Sequence, residues 1–178
     1  MKRPIKNLLR RFGLSEEGST AVEFAVVFPV FFAVLVAGFE LSMITFRHVL
    51  IERGLDLAVR EIRLGTGTAP QHDAIKDMIC ETTGFEEKCR ANLRLEMRPA
   101  NLRSFNAMDD TPDCTDTAAP TKPVRDFSPG TENQLMILRA CLKYDPIFPD
   151  DMLAGFLEKD SSGQAKIVVT NAFVQEPF

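Results

Sequence analysis

The chain has 178 residues, of which 45% are apolar and 26% are charged, and its net charge is −4. This length is typical of one ordinary domain and argues against a multidomain enzyme. The acidic balance argues against a general nucleic-acid binder, because neutralising phosphates requires a basic surface.

Charge is segregated along the chain. Residues 1–18 carry a net charge of +3, whereas the remaining 160 residues carry −7. Residues 24–46 contain six of the fourteen Phe and one ionisable group, Glu40. A basic leader, an apolar run and an acidic remainder follow the positive-inside rule for a protein whose C-terminal part is translocated. We therefore expect a single-pass membrane protein with a cytoplasmic N terminus and residues 65–178 outside the cytoplasm.

The apolar run predicts a transmembrane helix over about residues 24–46. Its 23 residues give a helix about 35 Å long, against a hydrocarbon core of roughly 30 Å. The run is longer than a secretory signal core and lacks a clear small-residue cleavage site after it. Glu23 lies at its mouth and Glu40 lies inside it, where an ionised group costs roughly 2.5 to 3.5 kcal/mol at the bilayer centre. Two interpretations of Glu40 stay open: it snorkels to the outer interface near Arg47, or it contacts another membrane helix.

The residues directly before the span form a recognisable pattern. Glu23 is the fifth residue after Gly18, which follows a basic leader, and this is similar to a prepilin peptidase site. Residues 17–29, EGSTAVEFAVVFP, resemble the opening of the TadE/TadF family, the minor pseudopilins of the Flp (tight adherence, Tad) type IV pilus system. Gly38-Phe39-Glu40 resembles the second Glu that this family tends to have near the far end of the span.

This resemblance implies a structural role in a bacterial inner membrane. Residues 1–18 would be a leader peptide that a prepilin peptidase removes after Gly18, so that Ser19 becomes the first mature residue. Glu23, Phe24 and Glu40 would act in assembly or processing. The implied partners are the membrane, the prepilin peptidase, other pilins or pseudopilins and the Tad inner-membrane machinery, with incorporation into an extracellular pilus as a further expectation.

Periodicity beyond the span predicts an α+β domain. The N-terminal helix is expected over 19–64 and a second helix over 72–83, followed by strands at 92–98, 135–144 and 166–174, with a short helical turn near 150–158. Such elements predict an antiparallel sheet of three or more strands laid over the helices. The first strand alternates apolar residues with Arg94, Glu96 and Arg98, which predicts one buried and one solvated face.

A long Pro-rich segment, residues 99–131, separates the first two strands and is expected to be a solvated loop. Its acidic residues suggest calcium as a weaker alternative, although they lack the spacing and the Gly of an EF-hand loop. These residues are Asp109, Asp110, Asp113 and Asp116.

The four cysteines all fall on the side predicted to be translocated, and they are Cys80, Cys89, Cys114 and Cys141. An even number in an oxidising compartment predicts disulfides, for which three connectivities are possible. Of these we favour the two sequence-local pairs, Cys80 with Cys89 and Cys114 with Cys141. Zinc is the weaker interpretation, because there is no Cys-x-x-Cys and neither histidine is spaced as a ligand.

Motifs for catalysis do not occur in the sequence: it has no nucleophile elbow, phosphate-binding Gly loop or metalloprotease His pair. We therefore expect no enzymatic activity, no cofactor, no metal and no small-molecule substrate. An alternative function is an unprocessed, membrane-anchored periplasmic protein whose outer domain binds a partner or acts as a scaffold, which explains the charge asymmetry and the disulfides equally well.

Overall fold

The computed structural model describes residues 19–64, 70–101, 103, 108–115, 127–148 and 154–177. Within these ranges the helices are α1 (Ser19–Leu64), α2 (His72–Glu81) and α3 (Glu86–Asn92). The strands are β1 (Leu93–Pro99), β2 (Leu135–Tyr144) and β3 (Ala165–Val174), and a 3₁₀ turn (Ala154–Phe156) precedes β3. The predicted α+β class is confirmed. The predicted leader, residues 1–18, lies outside the described residues.

The chain divides into two compact units between Phe39 and Glu40. The described part of the first unit, residues 19–39, is helical and exposes apolar side chains. The second unit begins at Glu40 and contains the rest of α1, the two short helices and the sheet. The predicted end of the membrane segment, residue 46, therefore falls inside the second unit.

Strand β2 is the central strand of the sheet and pairs antiparallel with β1 on one side and β3 on the other. Leu95 faces Ala140 across the first pair, and Met136 faces Phe173 across the second. These cross-strand neighbours are all buried. The sheet therefore contributes one continuous apolar face to the core.

The second half of α1 supplies the other side of this core. Its buried residues recur at helical spacing and lie on one stripe: Ile51, Leu55, Ala58, Val59 and Ile62. They form one cluster with Ile75 and Ile79 of α2 and the apolar face of the sheet. Fully burying an Ile or Leu side chain stabilises the fold by roughly 1.5 to 3 kcal/mol, so this stripe holds α1 onto the domain.

Gly54 permits a close approach between α1 and the end of α2. A Cβ atom at this position would lie 2.7 Å from the carbonyl oxygen of Ile79 and 2.8 Å from Oγ1 of Thr82. A glycine inside a helix destabilises the helix by roughly 1 kcal/mol relative to alanine. At this position the absence of a Cβ allows α1 and the end of α2 to pack closely.

Over β1 and the middle of β2 the second face of the sheet is also covered, whereas along β3 it stays largely exposed, which corrects in part the prediction of a solvated face and of a wholly solvated loop. Arg94 and Glu96 are each only 6% exposed, because residues 108–115 lie over them. Glu96 accepts hydrogen bonds from the backbone N–H of Asp113 at 3.1 Å and from Nε of Arg139 at 2.7 Å. The alternation of apolar and charged residues along a strand predicts which side chains share a face of the sheet, but it does not predict what covers that face.

Two disulfides close the second unit, and they are the favoured sequence-local pairs. Cys80 bonds to Cys89 and links α2 to α3, with Cα atoms 5.6 Å apart. Cys114 bonds to Cys141 and links residues 108–115 to β2, with Cα atoms 5.3 Å apart. The second disulfide therefore holds residues 108–115 on the outer face of the sheet.

An aspartate-centred turn leads into β3. Oδ1 of Asp160 accepts hydrogen bonds from the backbone N–H groups of Ser162 and Gln164 at 2.9 and 3.0 Å. Its other oxygen accepts a hydrogen bond from Nζ of Lys143 on β2. Gly163 has φ +83°, a conformation that glycine adopts without strain. The turn thus fixes the start of β3 beside its partner strand.

Candidate functional site

The most unusual surface of the described chain is the apolar first half of α1. Between Val22 and Phe39 most large apolar side chains are exposed, including Val26 at 67% and Phe24 at 63%. This helix is long and apolar enough to cross a membrane, and none of its most apolar stretch is buried. Exposed apolar patches of this size mark a membrane or protein contact surface, so the segment requires lipid or other apolar helices around it.

The predicted processing and assembly residues lie at the start of this helix. Gly18 is outside the described residues, and Ser19 is the first residue of α1. Glu23 and Phe24 follow in the second turn, and the ring of Phe24 stacks on that of Phe28 with centroids 5.0 Å apart. Glu23 is therefore separated from the folded second unit by the whole exposed apolar segment.

Glu40 directly follows the segment, and its burial contradicts the interpretation in which it snorkels to the outer interface, while contact with another membrane helix stays a prediction. Its side chain is fully buried, so it does not snorkel into solvent. Both carboxylate oxygens accept the backbone N–H of Ile147, at 3.1 and 3.2 Å. The turn after β2 thus covers Glu40 and gives its carboxylate a hydrogen-bond donor within the same chain.

Arg47 and Tyr144 lie near this carboxylate. The guanidinium carbon of Arg47 is 5.0 Å from the centroid of the Tyr144 ring, which is cation–π geometry. Burial raises the pKa of the Tyr144 hydroxyl, the positive charge of Arg47 opposes this shift, and the charge of Glu40 adds to it. Within the second unit, the start of its part of α1 and the end of β2 therefore form a polar cluster that contains Glu40, Arg47, Tyr144 and the backbone of Ile147.

The four acidic residues proposed as calcium ligands have different surroundings. Asp113 is buried and forms an ion pair with Nε of Arg94 at 2.9 Å. Asp109 offers its backbone carbonyl to Nη1 of Arg139 at 2.7 Å, Asp110 is exposed, and Asp116 lies outside the described residues. Among the described residues no group of three or more His, Cys, Asp or Glu side chains could hold a metal ion.

The two histidines are separated in the fold. His48 lies 3.8 Å from Glu52, one turn further along α1. Nδ1 of His72 is 2.8 Å from Oδ1 of Asp73, while its Nε2 accepts the backbone N–H of Leu95 at 3.2 Å. Each histidine is thus engaged by its own surroundings.

Sequence reasoning missed the partners of Glu40 and Glu96. Glu40 bonds to a residue 107 positions away, and Glu96 bonds to Arg139, 43 positions away. The opposite charges of Glu96 and Arg139 carry a usable signal, because the two residues face each other once the register of β1 and β2 is known. The sequence contains no comparable signal for a bond to the backbone of Ile147.

These features define a class of protein before any comparison is made: one apolar, membrane-competent N-terminal helix continues into a small disulfide-linked α+β domain. Residues 18–60 match the model of the family described as TadE-like protein. The chain is therefore TadE-like over this segment, which confirms the resemblance predicted from the sequence and supports a Tad pilus-associated protein.

The matched segment contains Gly18, Ser19, Glu23, Phe24 and Glu40. It ends before α2, so the assignment rests on α1 and not on the sheet. Comparisons with curated proteins and with solved structures gave no match.

Proposed function

We propose that this protein is a minor pseudopilin of a Flp/Tad pilus assembly or secretion machine, with a structural role and no catalytic one. The observation that carries the proposal is the TadE-like match over residues 18–60, which begins at the predicted cleavage residue and covers the exposed apolar helix. The length and apolar composition of that helix support a membrane anchor. The assembly role is supported by the positions of two carboxylates of this helix, Glu23 near its start and Glu40 directly after the exposed apolar segment.

Processing is the first part of the proposal. A prepilin peptidase cuts after Gly18, and the basic leader stays on the cytoplasmic side of the inner membrane, as the positive-inside rule favours. Cleavage gives Ser19 a free ammonium group at the start of α1. The acidic, disulfide-linked second unit then lies in the periplasm, where disulfides persist.

Glu23 is the proposed assembly residue. An ionised carboxylate inside a membrane is costly unless a cation pairs with it. The ammonium group that cleavage creates on a neighbouring pilin or pseudopilin supplies such a cation at the same membrane depth. Phe24 and the other exposed apolar side chains of the segment then pack against neighbouring helices.

Glu40 has a different role in this proposal. Because it is fully buried and bonded to Ile147, it secures the turn after β2 to the part of α1 that belongs to the second unit. It acts in assembly by stabilising this part of the second unit.

The experiment compares Glu23→Ala with Glu61→Ala in the native host. Glu61 is an exposed carboxylate on the same helix, within the second unit. We expect both variants to be cleaved, while Glu23→Ala alone is lost from the isolated pilus or membrane machine. Assembly of Glu23→Ala at the level of Glu61→Ala would contradict the role given to Glu23.

A further inference from the structure

The sheet of the second unit has two edges, and they differ in what lies along them. At the edge formed by β1, the backbone N–H of Leu95 donates to Nε2 of His72 at 3.2 Å. The carbonyl of Met97 accepts the backbone N–H of Ser128 at 2.9 Å, and Phe127 forms a parallel bridge with Met97. Other parts of the domain therefore cover the β1 edge.

The edge formed by β3 is open over most of its length. Among the described residues, β2 is the one strand that pairs with β3. Lys159 bridges Ala165, and Glu158 lies 2.9 Å from Lys166, so the chain before the turn occupies the edge at the start of the strand. Over residues 167–174 no described segment is hydrogen-bonded to the side of β3 that faces away from β2.

The hydrogen-bond register shows which backbone groups of β3 face this open edge. The N–H of Gln175 donates to the carbonyl of Gln134 at 3.0 Å, in continuation of the β2–β3 register. Hydrogen-bonded residues alternate along antiparallel strands, so the odd-numbered residues of β3 bond to β2. The even-numbered residues present their N–H and C=O groups at the open edge: Val168, Thr170, Ala172 and Val174.

This edge lacks the features by which natural sheets prevent pairing with another strand. Residues 167–174 read IVVTNAFV and contain neither proline nor a charged residue. Thr170, Ala172 and Val174 are exposed. A groove of about 450 Å³ between the end of α1 and the end of β3 leaves space beside the edge. A long, open and largely apolar edge of this kind is a template for a further strand.

We propose that the open β3 edge pairs antiparallel with β3 of a second copy of this chain, so that the two sheets become one. Because the β1 edge is covered, β3 is the edge that each copy offers, and the interface is isologous. The strands cross at Asn171, with Val168 opposite Val174 of the second copy and Thr170 opposite Ala172 of the second copy.

The backbone selects this register. It uses the N–H and C=O groups of all four even-numbered residues from Val168 to Val174 and places no like charges opposite each other. A shift by two residues in one direction brings in Lys166, where the edge is occupied, and a shift in the other direction brings in Glu176, which lies beyond the strand. The proposal goes beyond the proposed function and does not depend on it, because β3 lies outside the TadE-like match.

Thr170 provides the test, because its N–H faces the open edge. Thr170→Pro removes this donor and leaves the hydrogen bonds between β2 and β3 in place, since proline is tolerated on an edge strand where the N–H faces outward. Thr170→Ala is the matched control, because it keeps the N–H. The dimer dissociation constant of the full chain in detergent is measured by analytical ultracentrifugation, and denaturant unfolding checks that each variant is folded.

We expect wild type to dimerise and Thr170→Pro to raise the dissociation constant by about tenfold or more, because the dimer loses one hydrogen bond from each copy. Thr170→Ala should stay close to wild type. A monomeric wild type would overturn the second copy as the occupant of the edge. Equal dissociation constants for Thr170→Pro and wild type would also overturn it, because association would then use another surface, such as the exposed apolar half of α1.

A pair of charge variants tests the register and keeps the proposal falsifiable if Thr170→Pro does not fold. Val168→Lys combined with Val174→Lys places cations opposite each other in the dimer, whereas Val168→Lys combined with Val174→Glu places opposite charges there. We expect the first combination to weaken the dimer by about tenfold or more relative to the second. Equal dissociation constants for the two combinations would overturn the pairing of β3 with β3.

Discussion

The two halves of helix α1 both carry many apolar side chains, and these are covered in opposite ways. Val26, in the first half, is 67% exposed, whereas Leu55, in the second half, is fully buried. The first half has apolar side chains on every side, and the second half confines them to one stripe. Apolar composition predicts that a helix surface must be buried. The distribution of the apolar side chains around the helix axis predicts what buries it: a single stripe packs on the chain's own domain, whereas apolar side chains on every side need lipid or other helices.

Glu40 marks the change between these two environments. It directly follows the exposed segment, it is fully buried, and the second unit begins with it. If the two halves differ as described, substitutions of buried residues after residue 40 alter the stability of the domain, and substitutions before it alter only membrane or partner contacts. The predictions below test this difference, and all stabilities refer to the full chain in detergent.

The largest expected effect comes from Arg139→Leu. This change leaves the Glu96 carboxylate buried without its cation, and breaking a buried ion pair costs about 3 to 5 kcal/mol. Denaturant unfolding followed by Tyr144 emission measures the loss. Arg53→Leu, which removes an exposed cation from α1, is the control and should change the free energy of unfolding little. A similar small change for Arg139→Leu would show that the ion pair is not a structural element of the sheet face.

Removing either disulfide should give the next largest loss in the free energy of unfolding, and the two losses should differ. The Cys114–Cys141 disulfide closes a longer loop than Cys80–Cys89, with sequence separations of 27 and 9. Chain entropy then gives about 3.6 kcal/mol for the longer loop and about 2.7 kcal/mol for the shorter one. Paired Cys→Ser variants measured by denaturant unfolding should follow this order, and the reverse order would contradict it.

Two glycines on α1 give a direct comparison across residue 40. Gly54→Ala places a Cβ 2.7 Å from the carbonyl oxygen of Ile79, and overpacking of this kind costs about 1 to 3 kcal/mol, offset in part by roughly 1 kcal/mol of helix propensity. Gly38→Ala meets no atom within 4 Å and should leave the domain's free energy of unfolding unchanged. Equal losses for the two variants would remove the distinction between the halves.

The smallest effect is a pH dependence at Asp160. Hydrogen bonds from Lys143 and then from Ser162 hold the pKa of its carboxyl well below the usual range. A depressed folded pKa stabilises the protein above the unfolded value of about 3.9, and the contribution is lost as pH falls through the folded value. Wild type should therefore exceed Asp160→Asn in stability at neutral pH, with the gap closing in strong acid. A gap independent of pH would contradict the ion pair.

Much of this fold could be predicted from the sequence because its signals are local. The apolar run, the stripe from Ile51 to Ile62 and the alternation in the strands each depend on neighbouring residues. Helix α3 gave no such signal, since Cys89 is its one buried residue and it has no apolar stripe. The covering of Arg94 and Glu96 also could not be predicted, because it depends on how residues 108–115 return to the sheet.

The candidate site also contains some residues that the sequence could predict and others that it could not. Glu23 and Phe24 could be identified from a contiguous motif, and the TadE-like match covers that motif. The residues around Glu40 come from distant parts of the chain, with Arg47 on α1, Tyr144 on β2 and Ile147 in the turn after it. Their meeting depends on the register and packing of the domain, and no spacing in the sequence encodes it.

The measurement that tests the central claim most directly is the N terminus and intact mass of the protein taken from its own membranes, with and without the candidate prepilin peptidase. We predict a mature chain that begins at Ser19 when the peptidase is present and retains residues 1–18 when it is absent. A chain that retains its leader in both strains would contradict the pseudopilin assignment and favour an unprocessed anchor. A start beyond residue 40 would indicate an ordinary secreted protein, because the apolar half of α1 would then have been removed.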